Sequence, residues 1–155
     1  MMNSILFLCT GNYYRSRFAE HLFNHLAAAL GLCWRAESRG LAIELGVFNV
    51  GPISTDTRSR LARLNVTCNE PHRAPLACLP VDLAAATRVI ALKEAEHRPL
   101  MAARFPDWQD RVEYWHVHDL DAAGPDEALG DIERLVRQLI DELLVSERKQ
   151  VNPIG

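Results

Sequence analysis

The sequence predicts an α/β protein, a single open parallel sheet of about four strands with helices on both faces. Three observations predict it. Residues 4–9 form an unbroken apolar run, the mark of a strand buried on both sides. Such runs alternate along the chain with stretches whose apolar residues recur every three or four positions, the mark of amphipathic helices. The chain has 155 residues, enough for one domain that buries about two-thirds of its unfolded surface and too few for two.

Ser4 to Cys9 is the first strand, closed by the turn residues Thr10-Gly11-Asn12. From Ser16, Phe18, Ala19, Leu22, Phe23, Leu26, Ala27 and Leu30 fall at helical spacing, and Gly31 supplies the stop, a helix of about four turns. Cys33 to Ser38 forms a second strand. Arg39 to Thr55 carries Gly40, Gly46, Gly51 and Pro52 without any period and reads as a surface loop. Thr55 or Asp56 caps a short helix through Leu64, and a further strand is expected near Val66. Asn69 to Pro80, with three prolines, is irregular. Thr87 to Leu92 is another buried strand, Lys93 to Arg104 a helix disturbed by Pro99, and Arg111 to Val117 the last strand. The polar turn Asp119-Leu120-Asp121 follows. Beyond Pro125, Leu129, Ile132, Leu135, Val136, Leu139, Ile140, Leu143 and Leu144 mark a long C-terminal helix, and Ser146 to Gly155 reads as a frayed tail. No linker or repeat interrupts residues 1–155, so a single domain accounts for the whole sequence.

Composition narrows the function classes. Hydrophobic residues at 48% and charged residues at 24% match a folded globular chain and exclude disorder. With 17 basic and 20 acidic side chains the net charge is −3, so no overall positive field draws nucleic acid or a membrane surface, and neither is expected as a partner. The apolar run Ile5 to Cys9 has no preceding Lys or Arg and is too short for a signal segment or a membrane span, which points to the cytoplasm. The four cysteines, Cys9, Cys33, Cys68 and Cys78, show no C-x-x-C spacing, so neither zinc nor a thioredoxin-type site is expected. His116, His118 and Asp119 imitate a metal site, but the two histidines equally flank a site rim. His21 and His25, four apart on the first helix, read as a solvated face. No metal and no cofactor is expected, and the oligomeric state is not legible.

The chemistry concentrates between the first strand and the first helix, in Cys9-Thr10-Gly11-Asn12-Tyr13-Tyr14-Arg15-Ser16. In open α/β sheets ligands bind beyond the carboxyl ends of the strands. Successive backbone N–H groups running into a helix N-terminus make an anion cradle, and phosphate is the guest such a cradle suits. Thr10 through Ser16 are the candidate phosphate-binding residues. Cys9, at the base, would be held as a thiolate nucleophile by the same donors. Arg15 offers a planar fork of donors to the equatorial oxygens of a transferring phosphoryl group. Ser16 can donate its hydroxyl to the sulfur, both steadying the thiolate and easing its departure from a phosphocysteine.

This C-x5-R-S segment, FLCTGNYYRSRFAEHLF as a whole, resembles the phosphate-binding loop and first helix of the low-molecular-weight protein tyrosine phosphatases. The resemblance extends to Phe48-Asn49-Val50-Gly51, where that family has an aromatic wall of its cleft. It extends also to His72, placed about where the family has a histidine supporting the loop asparagine, here Asn12. Trp115 to Asp119 resembles the strand leading into the family's general-acid loop. The resemblance implies a metal-independent phosphomonoester hydrolase working through a phosphocysteine. Its implied substrate is phosphotyrosine in proteins, with other phosphorylated residues or a small phosphomonoester as further possibilities.

The general acid is assigned to Asp119, with Asp121 as the alternative, because Leu120 stands where the family has a proline after its aspartate. Tyr14 stands where the family commonly has a second cysteine. Oxidised Cys9 then lacks a vicinal disulfide partner, and irreversible over-oxidation is expected. Tyr13 replaces a smaller residue and either stacks on an aromatic substrate or narrows access. Two other functions remain open at this point. An arsenate reductase on the same fold needs further thiols after the Thr87–Leu92 strand, and residues 93–104 contain none. A non-catalytic phospho-ligand binder has little need of the nucleophile.

Overall fold

The computed structural model describes residues 2–68, 70–117 and 124–151. Strand β1 (Asn3–Cys9) leads into helix α1 (Arg15–Ala29) and strand β2 (Trp34–Gly40), then α2 (Thr55–Arg63), α3 (Pro80–Ala85), β3 (Arg88–Ala91), α4 (Glu94–Arg104), β4 (Glu113–Tyr114) and α5 (Pro125–Val151). The strands pair in the order β2-β1-β3-β4, all parallel. The expected α/β sheet is therefore present.

Period-two alternation along β1 explains the layering. Ile5, Phe7 and Cys9 point to one face and pack with Phe18, Leu22 and Phe23 of α1, Leu61 of α2, and Ile132, Val136, Leu139 and Leu143 of α5. Leu6 and Leu8 point to the other, against Leu83 of α3 and Met101 of α4. A central strand sandwiched this way must be apolar at every position, which is why the N-terminal run shows no polar alternation.

Helix ends follow local rules. α1 stops at Gly31, whose φ of 68° lets the Leu32 N–H return to the Ala27 carbonyl at 2.9 Å. α2 stops the same way at Asn65, φ 57°, with the Val66 N–H on the Leu61 carbonyl at 2.9 Å. This is where the strand expected near Val66 fails: Val66 is the apolar residue that closes a helix cap, and it is buried for that reason. The cap of α2 also shifts by one residue, since the Ser54 hydroxyl accepts from the Asp56 and Thr57 N–H groups, a role expected of Thr55 or Asp56.

α3 has no counterpart in the sequence reading; Pro80 starts it, and the Asp82 carboxylate accepts from the Leu79 N–H at 2.8 Å. The regular part of β4 covers only two residues. The pairing the sequence implied continues past it, as Trp115 N–H on Ala91 at 2.8 Å and Val117 N–H on Leu92 at 3.0 Å. α4 runs through Pro99, and α5 continues to Val151, so residues 146–151 extend the helix instead of fraying.

The strand order places the fold's functional edge. The chain leaves β1 toward β2 on one side, while β3 lies on the other, so the loops after β1 and β3 diverge at their carboxyl ends and open a crevice there. Loop residues between Cys9 and Arg15 line that crevice, and Glu96 at the start of α4 bonds to Thr10 and Arg15.

Candidate active site

Cys9 is the last residue of β1 and is buried, its Sγ 2.9 Å from the Ser16 Oγ. Between them the chain makes the loop Thr10 to Tyr14, turned by Asn12 at φ 51°, a left-handed conformation that asparagine tolerates better than most residues. Among the described residues no side chain caps the start of α1, which leaves its first amides available to an anion in the loop. Gly40, at the end of β2, allows the loop to pack this closely; a Cβ there would sit 2.9 Å from the Thr10 carbonyl oxygen and 2.6 Å from Ile43.

Beneath the loop lies a polar network whose directions are fixed by chemistry. The Asn12 Oδ1 accepts from the Leu76 N–H at 3.0 Å and from Arg73 Nη1 at 3.1 Å, two obligatory donors, which settles the amide orientation. Its Nδ2 then donates to Ser16 Oγ and to Ser38 Oγ, both at 2.9 Å. Ser38 donates in turn to the Glu20 carboxylate at 2.6 Å, and Arg73 Nη2 reaches both Ser38 and Glu20. Every donor and acceptor of the Asn12 amide is used. Ser16 Oγ accepts from Asn12 and keeps its own proton free to donate, so it can serve Cys9 Sγ as a hydrogen-bond donor.

Arg15, the first residue of α1, turns to the other side of the loop. Its Nη1 and Nη2 contact the Glu96 carboxylate at 2.7 and 3.1 Å, and the Thr10 hydroxyl donates to the same carboxylate at 2.8 Å. Partial burial pushes the Glu96 carboxyl up, but the hydrogen bonds and charge of Arg15, with Thr10, outweigh it and hold the group down at about 2. Glu96 therefore fixes the plane and direction of the guanidinium, since one paired edge of a planar fork orients the rest.

The cleft above Cys9 has a volume of about 420 Å³ and is lined by the loop residues Thr10, Gly11, Tyr13, Tyr14 and Arg15, by Leu45, Gly46 and Asn49, and by Ser54, Thr55 and Asp56 at the start of α2. The Tyr13 hydroxyl donates to the Val50 carbonyl at 2.5 Å. Tyr14 points down, its hydroxyl on the Pro125 carbonyl at 3.1 Å, and burial with the nearby Asp56 charge pushes its pKa up to about 12.

The loop residues expected from the sequence, Cys9 through Ser16, thus meet in one place. Two supporting assignments change. Phe48 is 94% exposed and does not line the cleft; Leu45, in the short 3-10 helix Ile43–Gly46, and Asn49 take that position. His72 is exposed, and the adjacent Arg73 supports Asn12 instead, its longer side chain reaching past the turn to both Asn12 and Glu20. His21 is buried, 3.3 Å from the Cys68 sulfur, and not on a solvated face. His118, Asp119 and Asp121 lie outside the described residues, and among the described residues no cluster suited to a metal ion occurs. Cys33, Cys68 and Cys78 are free, and none of them lines the cleft.

Residues the sequence reading passed over include Glu96, Glu20, Ser38 and Arg73. Topology holds a signal for the first, since the start of the helix after β3 must face the loop after β1. Glu20 lies one helical turn after Ser16, and Ser38 is a polar residue on the buried face of β2.

Comparisons with known proteins agree with this geometry. Among curated proteins, none matches the chain. The low molecular weight protein tyrosine phosphatase of T. tengcongensis is similar at 25% identity, over 90% of this chain and 99% of that one, with a TM-score of 0.73. Vibrio vulnificus Wzb, solved with benzylphosphonate, shares the fold at 14% identity, over 92% and 99%, with a TM-score of 0.74. The YwlE arginine phosphatase of Geobacillus stearothermophilus does so at 21%, over 95% and 96%, with a TM-score of 0.73. The family model described as low molecular weight phosphotyrosine protein phosphatase matches residues 4–150, so the chain belongs to that family and is a cysteine-based, metal-independent phosphatase.

Proposed function

We propose that Cys9 attacks the phosphorus of a phosphorylated side chain in line with its leaving oxygen, giving a phosphocysteine that water then hydrolyses. The loop amides of residues 10–16 and the Arg15 fork hold the equatorial oxygens, and Glu96 keeps that fork oriented before substrate arrives. Ser16 stabilises the sulfur when it attacks and again when it departs. Asp119 protonates the leaving oxygen, with Asp121 as the alternative donor. The observation that carries this reading is the 2.9 Å contact of Cys9 Sγ with Ser16 Oγ, at the base of the loop that runs into the start of α1.

The family's substrates are phosphorylated, and the side chain proposed here is phosphotyrosine in a protein. Leu45 and Tyr13 give the cleft apolar walls suited to an aryl ring. One observation favours a second reading: Asp56 is the carboxylate among the cleft's lining residues, and it would pair with the guanidinium of a phosphoarginine, the substrate type named for the YwlE relative. The protein is proposed to work in the cytoplasm, in keeping with four free cysteines; among the described residues no helix is long and apolar enough to cross a membrane.

Hydrolysis of p-nitrophenyl phosphate between pH 5 and 7.5, with EDTA present, tests the roles. Cys9→Ser should be inactive, and loss of the general acid in Asp119→Ala should slow turnover by about 10²–10⁴-fold. If Asp121→Ala shows that loss instead, the acid assignment moves. Peptides carrying phosphotyrosine or phosphoarginine then separate the two substrate readings, and an inert wild type that still binds vanadate would refute the enzyme assignment.

A further inference from the structure

Arg17 heads the fully buried side chains by size, and neither the nucleophile nor the phosphate contacts use it. Its Nη1 donates to two main-chain carbonyls, Pro52 at 3.1 Å and Asn12 at 3.5 Å. Nε and Nη2 are buried with no hydrogen-bond partner among the described residues. Burial, and then the charge of Arg73, weaken its hold on its proton, while Glu20 acts in the opposite sense. A methionine would fill such a space without the cost of desolvating a cation. What the guanidinium does that a methionine cannot is hold those two carbonyls.

The carbonyls belong to different segments. Asn12 turns the phosphate loop; Pro52 lies in residues 47–53, which form no helix or strand and supply Asn49 to the cleft. Val47, Phe48 and Val50 in that segment are 71%, 94% and 83% exposed, so apolar burial holds little of it beyond Ile53. Among the described residues its hydrogen bonds to the loop side converge on Tyr13 and Arg17. Tyr13 takes the Val50 carbonyl through its hydroxyl and the Ser54 N–H through its own carbonyl at 2.9 Å, and Arg17 takes Pro52.

We propose that Arg17 is a positioning residue for substrate selection: from below the phosphate loop it clamps residues 47–53 in place, so that this wall meets the group attached to the phosphate already ordered. The inference rests on the phosphatase reading. A wall that must be ordered by each incoming substrate costs affinity for the part of the substrate it touches and leaves phosphate recognition alone. Asn49 is the part of this segment that lines the cleft; Val47, Phe48 and Val50 lie exposed outside it, where the apolar neighbours of a phosphorylated residue in a protein, and no part of a small phosphomonoester, would meet them.

The test compares Arg17→Met and Arg17→Gln with wild type, using a phosphotyrosine peptide as substrate and inorganic phosphate as competitive inhibitor. In Arg17→Met the peptide KM should rise about tenfold, with kcat and the phosphate inhibition constant moving less than about twofold. Arg17→Gln, which keeps an amide donor for Pro52, should rise less. A parallel rise in the peptide KM and the phosphate constant, or a fall in kcat alone, would overturn the proposal in favour of a general packing role. Amide hydrogen exchange provides an arm independent of turnover. Residues 47–54 should exchange faster in Arg17→Met while residues 10–15 keep their protection, and unchanged exchange in that wall would overturn the clamp. If the wild type hydrolyses no phosphate ester, the phosphatase reading fails, and the exchange arm still decides whether Arg17 holds the wall.

Discussion

The floor and the wall of the cleft are built on opposite principles. Under the phosphate loop, Asn12 fills all four of its hydrogen-bonding positions, and Ser38, Glu20 and Arg73 lock together behind it. The wall at residues 47–53 is exposed and held to the loop by hydrogen bonds from Tyr13 and Arg17. A saturated polar network tolerates no loss, because each deletion strands a buried partner, whereas a surface segment on few ties changes at little thermodynamic cost. The difference assigns their tasks: the floor fixes the chemistry, and the wall adjusts what is brought to it.

The largest effects should come from the floor. Cys9→Ser should lower turnover by at least about 10⁴-fold, as removal of a nucleophile does, while phosphate binding persists. Peroxide strikes the same atom. Tyr14 stands where a second loop cysteine would, and no other cysteine lines the cleft, so activity lost to peroxide should fail to return with dithiothreitol; full recovery would show that oxidation stops at a reducible state, a sulfenic acid or a disulfide.

Asn12→Ala comes next. It strands Ser16, Ser38, Arg73 and the Leu76 N–H and puts alanine at positive φ, so unfolding free energy should fall by about 2–4 kcal/mol, with kcat lowered even in the fraction that folds. A stable, fully active Asn12→Ala would break the contrast between floor and wall.

Glu96 sits between the two in effect. Its carboxyl is held at about 2 against an ordinary value of 4.5, so it stabilises the fold above pH 4.5 and that stabilisation is lost as pH falls toward 2. Glu96→Gln should therefore flatten the acid limb of a stability curve between about pH 4.5 and 2 and cost about 1–3 kcal/mol at pH 7. It should also weaken phosphate binding as Arg15 loses its orientation. An acid limb identical to wild type would detach Glu96 from the site. The smallest effect belongs to the wall: Asn49→Ala should raise KM by a few-fold with little change in kcat, measured on the peptide substrate.

How much of this was legible in the sequence follows from how local each cause is. β1, α1 and the loop between them were readable because a doubly buried strand, a helix period, a glycine stop and C-x5-R-S all act over short stretches of chain. Val66 misled because a buried apolar residue after a helix looks the same whether it opens a strand or closes a cap; the positive φ of Asn65 decides, and that depends on the tertiary path. Arg73 and Glu96 were invisible because they reach the loop across 61 and 81 residues of chain, and only the sheet order brings them there. Phe48 was misplaced because the path of the chain through the 3-10 helix Ile43–Gly46 decides that Leu45 and Asn49 line the cleft, and nothing local in the sequence marks that helix.

The account stands on Cys9 as the atom that carries the phosphoryl group. Rapid acid quenching of the wild-type enzyme during turnover of p-nitrophenyl phosphate, followed by mass spectrometry of the peptide spanning residues 4–15, tests this directly. The account predicts one phosphoryl group on that peptide, localised to Cys9 and absent from Cys9→Ala. Turnover with no covalent adduct, or with the phosphoryl group on another residue, would contradict it.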